Sequence, residues 1–261
     1  MEKPKVIVVG AYGRMGKAAV ETFINNSDKF ELLAAVVRDL NNVDPVYKSY
    51  LEKNKVKLVD NLEEEIHKGA DILVELTTPD SVFCNSKLAL KNGVRPVIGA
   101  TGLSDDDINE LSSLCQKNSI GGIIAPNFAI GAILMMKFSA EAARYMDRYE
   151  IIETHHEKKL DSPSGTAIKT AKLIAKNAKT RNQAPNAGEA ARGELVDGVP
   201  IHSLRLQGTV ANQEVIFGGL GQTLSINHVT IDRSSFMPGI MLACEKVMSL
   251  EKLVYGLENL L

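Results

Sequence analysis

Several ingredients are scarce in this sequence. Tryptophan is absent, aromatic residues make up 5% of the chain, and the formal net charge is only −2. Proteins that bind nucleic acid or a membrane surface rely on a basic field or on aromatic stacking platforms, so neither partner is expected. The apolar runs also fall short of the roughly 20 residues that span a bilayer. What remains is the composition of an ordinary globular protein, with 44% hydrophobic residues.

Cysteine is also rare, and its spacing does not suit a disulfide framework or a zinc site. Cys84, Cys115 and Cys244 are widely spaced and form no Cys-x-x-Cys pair, so a disulfide scaffold or zinc site is not expected. Buried, reduced thiols fit a reducing compartment. The sequence reaches its first apolar strand within five residues, which leaves no room for a signal peptide. We expect a cytoplasmic protein, or one of the plastid stroma if a transit peptide has been removed.

The first half alternates short apolar strands with helical stretches. Such alternation predicts a doubly wound parallel (Rossmann-like) sheet with helices on both faces. Ligands of these sheets bind outside the carboxyl ends of the strands. The segments Thr77-Thr78, 99–101 and 125–128, which each follow a strand, are therefore expected to converge on one crevice. The predicted strands cover residues 5–9, 31–37, 56–59, 71–76, 95–98 and 120–125.

The first strand ends in a glycine-rich turn, Gly10-Ala-Tyr-Gly13-Arg-Met-Gly16, which leads into a helix. Strand, glycine turn and helix in this order are typical of dinucleotide binding. The spacing is G-x-x-G-x-x-G and departs from the usual G-x-G-x-x-G. The physical roles persist: Gly10 permits the tight turn, Gly13 lets a pyrophosphate approach, and Gly16 lets the helix pack against the strand.

The second strand ends in Val37-Arg38-Asp39, where NAD-selective sites place a carboxylate for the ribose. The planar fork of Arg38 can pair with a 2′-phosphate instead, and Asp39 comes one or two residues late for the ribose. We therefore predict NADPH as the preferred cofactor, with NADH possible.

The most informative stretch runs from Glu153 to Ala167 and contains His155, His156 and Lys159 before a Pro-Ser-Gly-Thr turn. An apolar strand precedes it and a helix follows. The free N–H groups of a helix start attract carboxylates or phosphates, and Ser164 or Thr166 is placed to cap the helix. This passage predicts an acidic small-molecule substrate beside a titratable histidine. Flanking lysines oppose a metal ion here, so no metal site is expected.

The rest of the second half reads as a smaller α+β domain. Strands at 201–206, 213–217 and 223–230 alternate apolar and polar residues, which predicts antiparallel pairing. We assign Val215, Phe217, Leu224 and Ile226 to its second, exposed face, which predicts a homo-oligomer. Residues 179–200 are predicted to be irregular, 234–248 helical and 250–261 a short terminal helix. The predicted domains are 1–127 for the dinucleotide, 128–234 for substrate and oligomerisation, and 235–261 for helices that return to the first domain.

Four segments in one order carry a family resemblance: Gly10 to Gly16, Gly99-Ala-Thr-Gly102, Ala125-Pro-Asn-Phe128, and His155-His-x-x-Lys-x-Asp-x-Pro-Ser-Gly-Thr166. Over essentially its whole length the chain resembles the dihydrodipicolinate (4-hydroxy-tetrahydrodipicolinate) reductase family of bacteria and plastids. The resemblance implies NAD(P)H-dependent reduction of a cyclic imine dicarboxylate to tetrahydrodipicolinate, in lysine and diaminopimelate biosynthesis. It also implies a homotetramer built through an open mixed sheet.

By the same resemblance, His155 is a proton donor or acceptor, and Lys159 both binds substrate and donates a proton. His156, Gly165 and Thr166 match substrate-binding positions. The implied cofactor contacts are Gly10, Ala11, Tyr12, Gly13, Arg14, Met15, Arg38, Gly99, Ala100, Thr101, Ala125, Pro126, Asn127 and Phe128.

Two other functions fit parts of the sequence. One is another two-domain NAD(P)-dependent dehydrogenase for an amino or keto acid, which would use the same crevice and cationic loop. The other is a redox-sensing protein that binds NADPH without turnover, which leaves the His-His-x-x-Lys loop without a purpose.

Overall fold

The computed structural model describes residues 2–179 and 189–261, which divide into two compact units. Unit one comprises residues 1–128 and 236–261, and unit two comprises residues 129–235. No helix within the described ranges is long and apolar enough to cross a membrane.

Unit one is built on a parallel sheet. Its strands are β1 (Lys5–Val9), β2 (Glu31–Val36), β3 (Lys57–Val59), β4 (Ile72–Glu75), β5 (Arg95–Ile98), β6 (Gly122–Ile124) and, in chain order after the strands of unit two, β12 (Leu253–Tyr255). They lie in the order β12-β6-β5-β4-β1-β2-β3, and every neighbouring pair is parallel. All four residues of β4 are buried, as expected of a strand covered on both faces.

Some helices of this unit begin at a residue whose side chain caps them. Asp44 caps the second helix, which has proline at its first position, and Ser104 forms a capping box with Asp107 at the fifth. The helices are α1 (Arg14–Asn25), α2 (Pro45–Lys53), α3 (Leu62–Ile66), α4 (Pro79–Lys91), α5 (Asp105–Asn118) and, late in the chain, α8 (Met237–Val247).

Unit two is a five-stranded sheet with helices on one face. Its elements are α6 (Ile130–Ala142), β7 (Arg148–His155), α7 (Gly165–Asn177), β8 (Glu194–Val196), β9 (Val199–Arg205), β10 (Ala211–Gly219) and β11 (Gln222–Thr230). The order is β11-β10-β7-β9-β8, in which β7 and β9 are parallel and the other pairs antiparallel. Its core joins Tyr149, Ile151 and Phe217 of the sheet to Ala171 and Ile174 of α7.

The predicted fold class, a Rossmann-like sheet domain plus a smaller α+β domain with an open mixed sheet, is confirmed. The predicted antiparallel pairing is confirmed for β10 with β11. It is wrong for β9, which lies parallel to β7 and does not pair with β10. Alternation reports which face of a strand is buried and says nothing about the direction of its neighbour.

The predicted exposed face of the second sheet is also corrected. Val215 and Phe217 are fully buried in the core, and Ile226 packs against them. The ladder places Leu224 opposite Phe217, so it lies on that same helix-covered face near the end of the strands. The other face carries Leu204 and Val229, which are 39% and 54% exposed.

Three local predictions fail in instructive ways. The terminal segment is not a helix, because Leu253–Tyr255 pairs with β6 and a 3-10 turn, Leu257–Asn259, follows. Part of the predicted irregular stretch is a hairpin of β8 and β9, turned at Asp197 (φ 50°) and Gly198 (φ 83°), an Asp-Gly turn that favours hairpins. Residues 180–188 of that stretch lie outside the described residues. Cys84 is exposed, although Cys115 and Cys244 are buried as expected.

Candidate active site

The glycine-rich turn after β1 accepts no side chain at two positions. Gly10 has φ +77°, and a Cβ there would lie 2.5 Å from the Leu76 carbonyl oxygen. A Cβ on Gly16 would lie 2.0 Å from the Gly10 carbonyl oxygen, so α1 could not pack this closely on the turn. Gly13 is the N-cap of α1 and supplies no side-chain cap. The first N–H groups of α1 therefore remain for an anionic ligand, as the motif predicts.

A cavity of about 740 Å³ lies at the carboxyl ends of β1, β2 and β4. Of the predicted cofactor residues, Gly10, Tyr12, Gly13 and Arg38 line it. The other lining residues lie at the ends of β1 and β2, in the loops after β2, β3 and β4, and in α3 and α4: Val9, Val36, Val37, Asp39, Asn42, Val43, Asp60, Asn61, Leu62, Leu76, Thr77, Thr78, Ser81 and Asn85. Its size and its place beside the glycine turn suit the adenosine and pyrophosphate parts of a dinucleotide.

Arg38 and the next residue, Asp39, differ in how they are engaged. The exposed Arg38 side chain points one guanidinium nitrogen at the Thr78 hydroxyl, 3.4 Å away. The Asp39 carboxylate instead accepts hydrogen bonds from the Asn41 N–H and the Asn42 side-chain amide, both at 2.8 Å. Asp39 thus caps its own 3-10 turn. Both residues line the cavity, but the carboxylate of Asp39 is occupied by contacts within its own turn.

The other predicted cofactor loops follow β5 and β6. The Gly99 and Ala100 N–H groups both donate to the carbonyl oxygen of Glu75, at 2.9 and 3.3 Å. A Cβ on Gly99 would lie 2.5 Å from the ring of Phe128, so these two loops contact each other. Thr101 and Pro126 are exposed, while Ala125 is buried. The structure thus brings 99–101 and 125–128 together at the carboxyl edge of the sheet.

Sequence reasoning passed over Glu75, a fully buried carboxyl at the end of β4. It accepts hydrogen bonds from the Thr77 N–H (2.7 Å), the Thr77 hydroxyl and the Asn85 amide (2.8 Å). Burial raises its pKa above the ordinary value, even though these three donors act in the opposite direction. Glu75 thereby fixes the loop that carries Thr77 and Thr78 into the cavity.

In unit two, His155 is the last residue of β7 and is held by a buried carboxylate. Its Nδ1 lies 2.5 Å from Oε2 of Glu153, which is fully buried two residues earlier on the same face of the strand. Arg205 on β9 grips both oxygens of that carboxylate at 2.9 Å. The N–H of Ser164 donates to Oε1 at 3.2 Å.

These contacts decide the charge of Glu153 and the tautomer of His155. Burial alone would raise the pKa of Glu153, but hydrogen bonds from His155, Arg205 and Ser203 outweigh it and lower the pKa to about 2. An ionised carboxylate only accepts hydrogen bonds, so Nδ1 of His155 carries the proton. The Nε2 atom is the ring nitrogen that does not contact Glu153.

The loop after His155 forms a turn, in which the Lys159 N–H donates to the His156 carbonyl oxygen at 3.1 Å. The Lys159 ammonium lies 2.7 and 2.8 Å from the two carboxylate oxygens of Asp161. Arg205 donates to the Asp161 carbonyl oxygen at 2.8 Å, so the arginine that grips Glu153 also ties down this loop.

Helix α7 starts at Gly165, and of the two predicted caps it is Ser164 that caps it. The Ser164 hydroxyl accepts from the Ala167 N–H at 3.2 Å. Gly165 is exposed, and nothing lies within 4 Å of the position that a Cβ would occupy. The structure thus places Gly165 and Thr166 in the first turn of a helix with open space in front of the first of them.

Glu153 and Arg205 are the functional candidates that sequence reasoning missed in unit two. The Glu-x-His spacing on a strand places both side chains on one face, so this signal was present in the sequence. Arg205 is 52 residues away from Glu153, and only the pairing of β7 with β9 brings the two together. In the described part of the chain, no three His, Cys, Asp or Glu side chains gather to hold a metal ion.

Two protein-family models match almost the whole chain. The family "Dihydrodipicolinate reductase, N-terminus" matches residues 4–128, and "Dihydrodipicolinate reductase, C-terminus" matches residues 131–261. The chain belongs to the dihydrodipicolinate reductase family.

Relatives within that family are close and of full length. The 4-hydroxy-tetrahydrodipicolinate reductase of Geobacillus thermodenitrificans is 47% identical, over 98% of each chain. That of Legionella pneumophila is 48% identical, over 99% of this chain and all of the relative. A dipicolinate-bound dihydrodipicolinate reductase from Paenisporosarcina sp. TG-14 is 42% identical and superposes over the full length of both chains with a TM-score of 0.86.

Proposed function

We propose that this protein reduces 4-hydroxy-tetrahydrodipicolinate (dihydrodipicolinate) to tetrahydrodipicolinate with NAD(P)H, a step of lysine and diaminopimelate biosynthesis. One observation carries the proposal: a histidine whose Nδ1 is locked by a buried carboxylate, beside a lysine and an open helix start. Membership of the dihydrodipicolinate reductase family supplies the reaction that this arrangement serves.

The cofactor belongs in unit one, where the residues fit it. Gly10 and Gly16 form a cradle that any Cβ would fill, in front of a helix start without a side-chain cap. When bound, the nicotinamide dinucleotide supplies the hydride. The chain's own contribution is to hold the pyrophosphate with Gly10 to Met15 and to place the nicotinamide end against Gly99 to Thr101 and Ala125 to Phe128.

We propose NADPH as the preferred cofactor. Arg38 lines the cavity with an exposed guanidinium, and its fork can pair with a 2′-phosphate. The carboxylate of Asp39, the next residue along the chain, already accepts two hydrogen bonds from its own turn. Using Asp39 for NADH would require breaking that cap, so NADH binding is expected to be weaker but not abolished.

The substrate roles fall to unit two. Gly165 and Thr166 offer N–H groups to one carboxylate, and Lys159 and His156 bind the acidic substrate. The dipicolinate in the Paenisporosarcina relative is a dicarboxylate of this kind. The Lys159 ammonium must exchange part of its contact with Asp161 for the substrate, which it can do because its stem is flexible.

The proton chemistry is assigned to His155, assisted by Lys159. Hydride addition to the conjugated imine leaves negative charge on the substrate, which an acid within hydrogen-bond reach neutralises. Nε2 of protonated His155 gives up that proton, and the Glu153 carboxylate stabilises the imidazolium before transfer. Arg205 in turn keeps Glu153 ionised and in place.

We further propose a homotetramer in the cytoplasm, or in the plastid stroma of a plant. Leu204 and Val229 lie exposed on the sheet face opposite the helices, and the Asn212 side-chain oxygen on that face is buried without a hydrogen-bond partner. Such a face suits a second copy. Light scattering at micromolar concentration tests this, and a monomeric mass would contradict it.

The reaction is tested by following nicotinamide absorbance while the substrate is generated from pyruvate and aspartate semialdehyde by the preceding enzyme. NADPH oxidation that depends on both precursors supports the proposal. Oxidation with a different amino or keto acid would favour another dehydrogenase, an alternative that family membership disfavours. Tight NADPH binding with no turnover on any substrate would indicate a redox sensor instead.

A further inference from the structure

Helix α2, which the sequence did not reveal, is tied to the glycine-rich turn by two hydrogen bonds. The Tyr47 hydroxyl donates to the Ala11 carbonyl oxygen at 3.0 Å. The Asp44 N–H, at the start of α2, donates to the Tyr12 hydroxyl at 3.2 Å. Both bonds join residues more than thirty positions apart, so the turn is braced from outside as well as by its own glycines.

The brace is stiffened by aromatic packing. The rings of Tyr12 and Tyr47 are 5.6 Å apart, and Tyr50 stacks on Tyr47 at 6.3 Å. The Lys17 ammonium lies 3.8 Å from the centre of the Tyr12 ring and 5.1 Å from that of Tyr47. A cation over an aromatic face is attracted to it, so Lys17 holds the two rings together. Burial raises the pKa of the Tyr47 hydroxyl well above its usual value, so it remains a donor.

Fixing one carbonyl of the turn also fixes the neighbouring N–H. In a trans peptide the C=O and N–H groups point in opposite directions, so the bond from Tyr47 to the Ala11 oxygen turns the Tyr12 N–H to the opposite side of the loop. Tyr12, Gly10 and Gly13 line the cavity, whereas Ala11 and Tyr47 do not. Tyr47 therefore acts on a ligand only through the turn.

We propose that Tyr47 is a positioning residue for the dinucleotide, whose hydroxyl sets the glycine-rich turn in the conformation that receives the pyrophosphate. This inference rests on the proposed dinucleotide binding and adds a determinant outside the glycine motif. Because the pyrophosphate is common to NADPH and NADH, Tyr47 contributes equally to both. It differs in this from Arg38, whose role is confined to the 2′-phosphate.

The test compares Tyr47→Phe with Tyr50→Phe, its matched control in the same aromatic stack. Each full-length variant is titrated with NADPH and with NADH below its melting temperature, and steady-state kinetics follow. Loss of one hydrogen bond predicts a Kd about 3- to 10-fold weaker for both cofactors in Tyr47→Phe. Most of the loss in turnover efficiency should lie in the cofactor KM and not in kcat. Tyr50→Phe should resemble the wild type.

Each outcome separates the possibilities. Faster amide exchange of residues 10–15 in Tyr47→Phe, with the equal loss for both cofactors, supports the brace. A purely structural role would lower the melting temperature without a selective change in cofactor affinity, and that result overturns the inference. Unchanged affinity in Tyr47→Phe, with NADPH bound normally by the wild type, also overturns it while leaving the proposed function intact. A wild type that binds neither cofactor would instead remove the proposed function.

Discussion

The exchange of Glu153 for Gln is the sharpest perturbation that the site offers. Gln keeps the shape of the side chain but removes its charge and replaces one oxygen with an amide group. Glu153 is fully buried and accepts hydrogen bonds from Arg205, His155 and Ser164. Both oxygens of Glu153 accept a hydrogen bond from Arg205, so an amide group in either position opposes a guanidinium donor. An amide turned toward His155 donates to Nδ1 and moves the ring proton to Nε2.

The exchange is expected to change both the reaction rate and the folding stability. A histidine locked in the wrong tautomer loses its general acid or base contribution, typically on the order of 10²- to 10⁴-fold in rate. The guanidinium of Arg205, whose side chain is only 20% exposed, loses its charge partner. Breaking such a buried pair costs about 3 kcal/mol of folding stability. We therefore expect kcat to fall by at least roughly 10²-fold in a protein that still folds.

The assay is steady-state reduction with NADPH over a range of pH, together with direct NADPH titration and a denaturant curve. Glu157→Gln is the control, since Glu157 is exposed and contacts Gln207. The variant at Glu153 should bind NADPH normally. Wild-type turnover in this variant would refute the role given to Glu153.

Three further predictions follow from the same contacts. Lys159→Ala should lower kcat by orders of magnitude without weakening NADPH, whereas Lys158→Ala, an exposed neighbour, should not; equal turnover in both would remove Lys159 from the mechanism. Arg38→Ala should weaken NADPH by roughly 10- to 100-fold and NADH little; equal losses for the two cofactors would exclude the phosphate contact. Because the pKa of Glu153 falls from 4.5 to about 2 on folding, its ionised form stabilises the protein above pH 4.5. That contribution, about 3 kcal/mol, should disappear as the pH falls toward about 2, and denaturant curves of Glu153→Gln should lack this component.

The fold and the site could be predicted best where a hydrophobic pattern is followed by residues typical of ligand binding. Strands β1 and β4 are buried on both faces, and a strand–glycine–helix passage has few other uses, so the parallel sheet and the turn at Gly10 could be predicted. The start of α7 could also be predicted, because Ser-Gly-Thr combines a helix-capping serine with a glycine that leaves room for a ligand.

The pairing of strands that are distant in sequence could not be predicted from the sequence. Arg205 reaches Glu153 only because β9 lies parallel to β7, a choice that alternation within a strand leaves undetermined. The three residues of β12 are too short for a periodic pattern and take their conformation from β6. Helix α2 fully buries only Leu51, so its sequence carries little amphipathic signal.

Helix α2 and the loop before it nevertheless contact residues of the proposed dinucleotide site. The β2–α2 loop holds Arg38 near Thr78 through a hydrogen bond at 3.4 Å, and Asp44 and Tyr47 brace the glycine-rich turn. The motif therefore specifies where a dinucleotide binds, while residues outside the motif adjust the geometry. Weak local pattern and functional importance coexist in this segment because its role depends on tertiary contacts.

The most direct test of the central claim is isotope transfer to the product. The protein is supplied with NADPH that carries deuterium on the transferable position of the nicotinamide ring, and with substrate formed from pyruvate and aspartate semialdehyde. We predict tetrahydrodipicolinate that carries the deuterium on a ring carbon, detected by mass spectrometry. Unlabelled product, or oxidised cofactor without labelled tetrahydrodipicolinate, would contradict the assignment of this chain as the reductase.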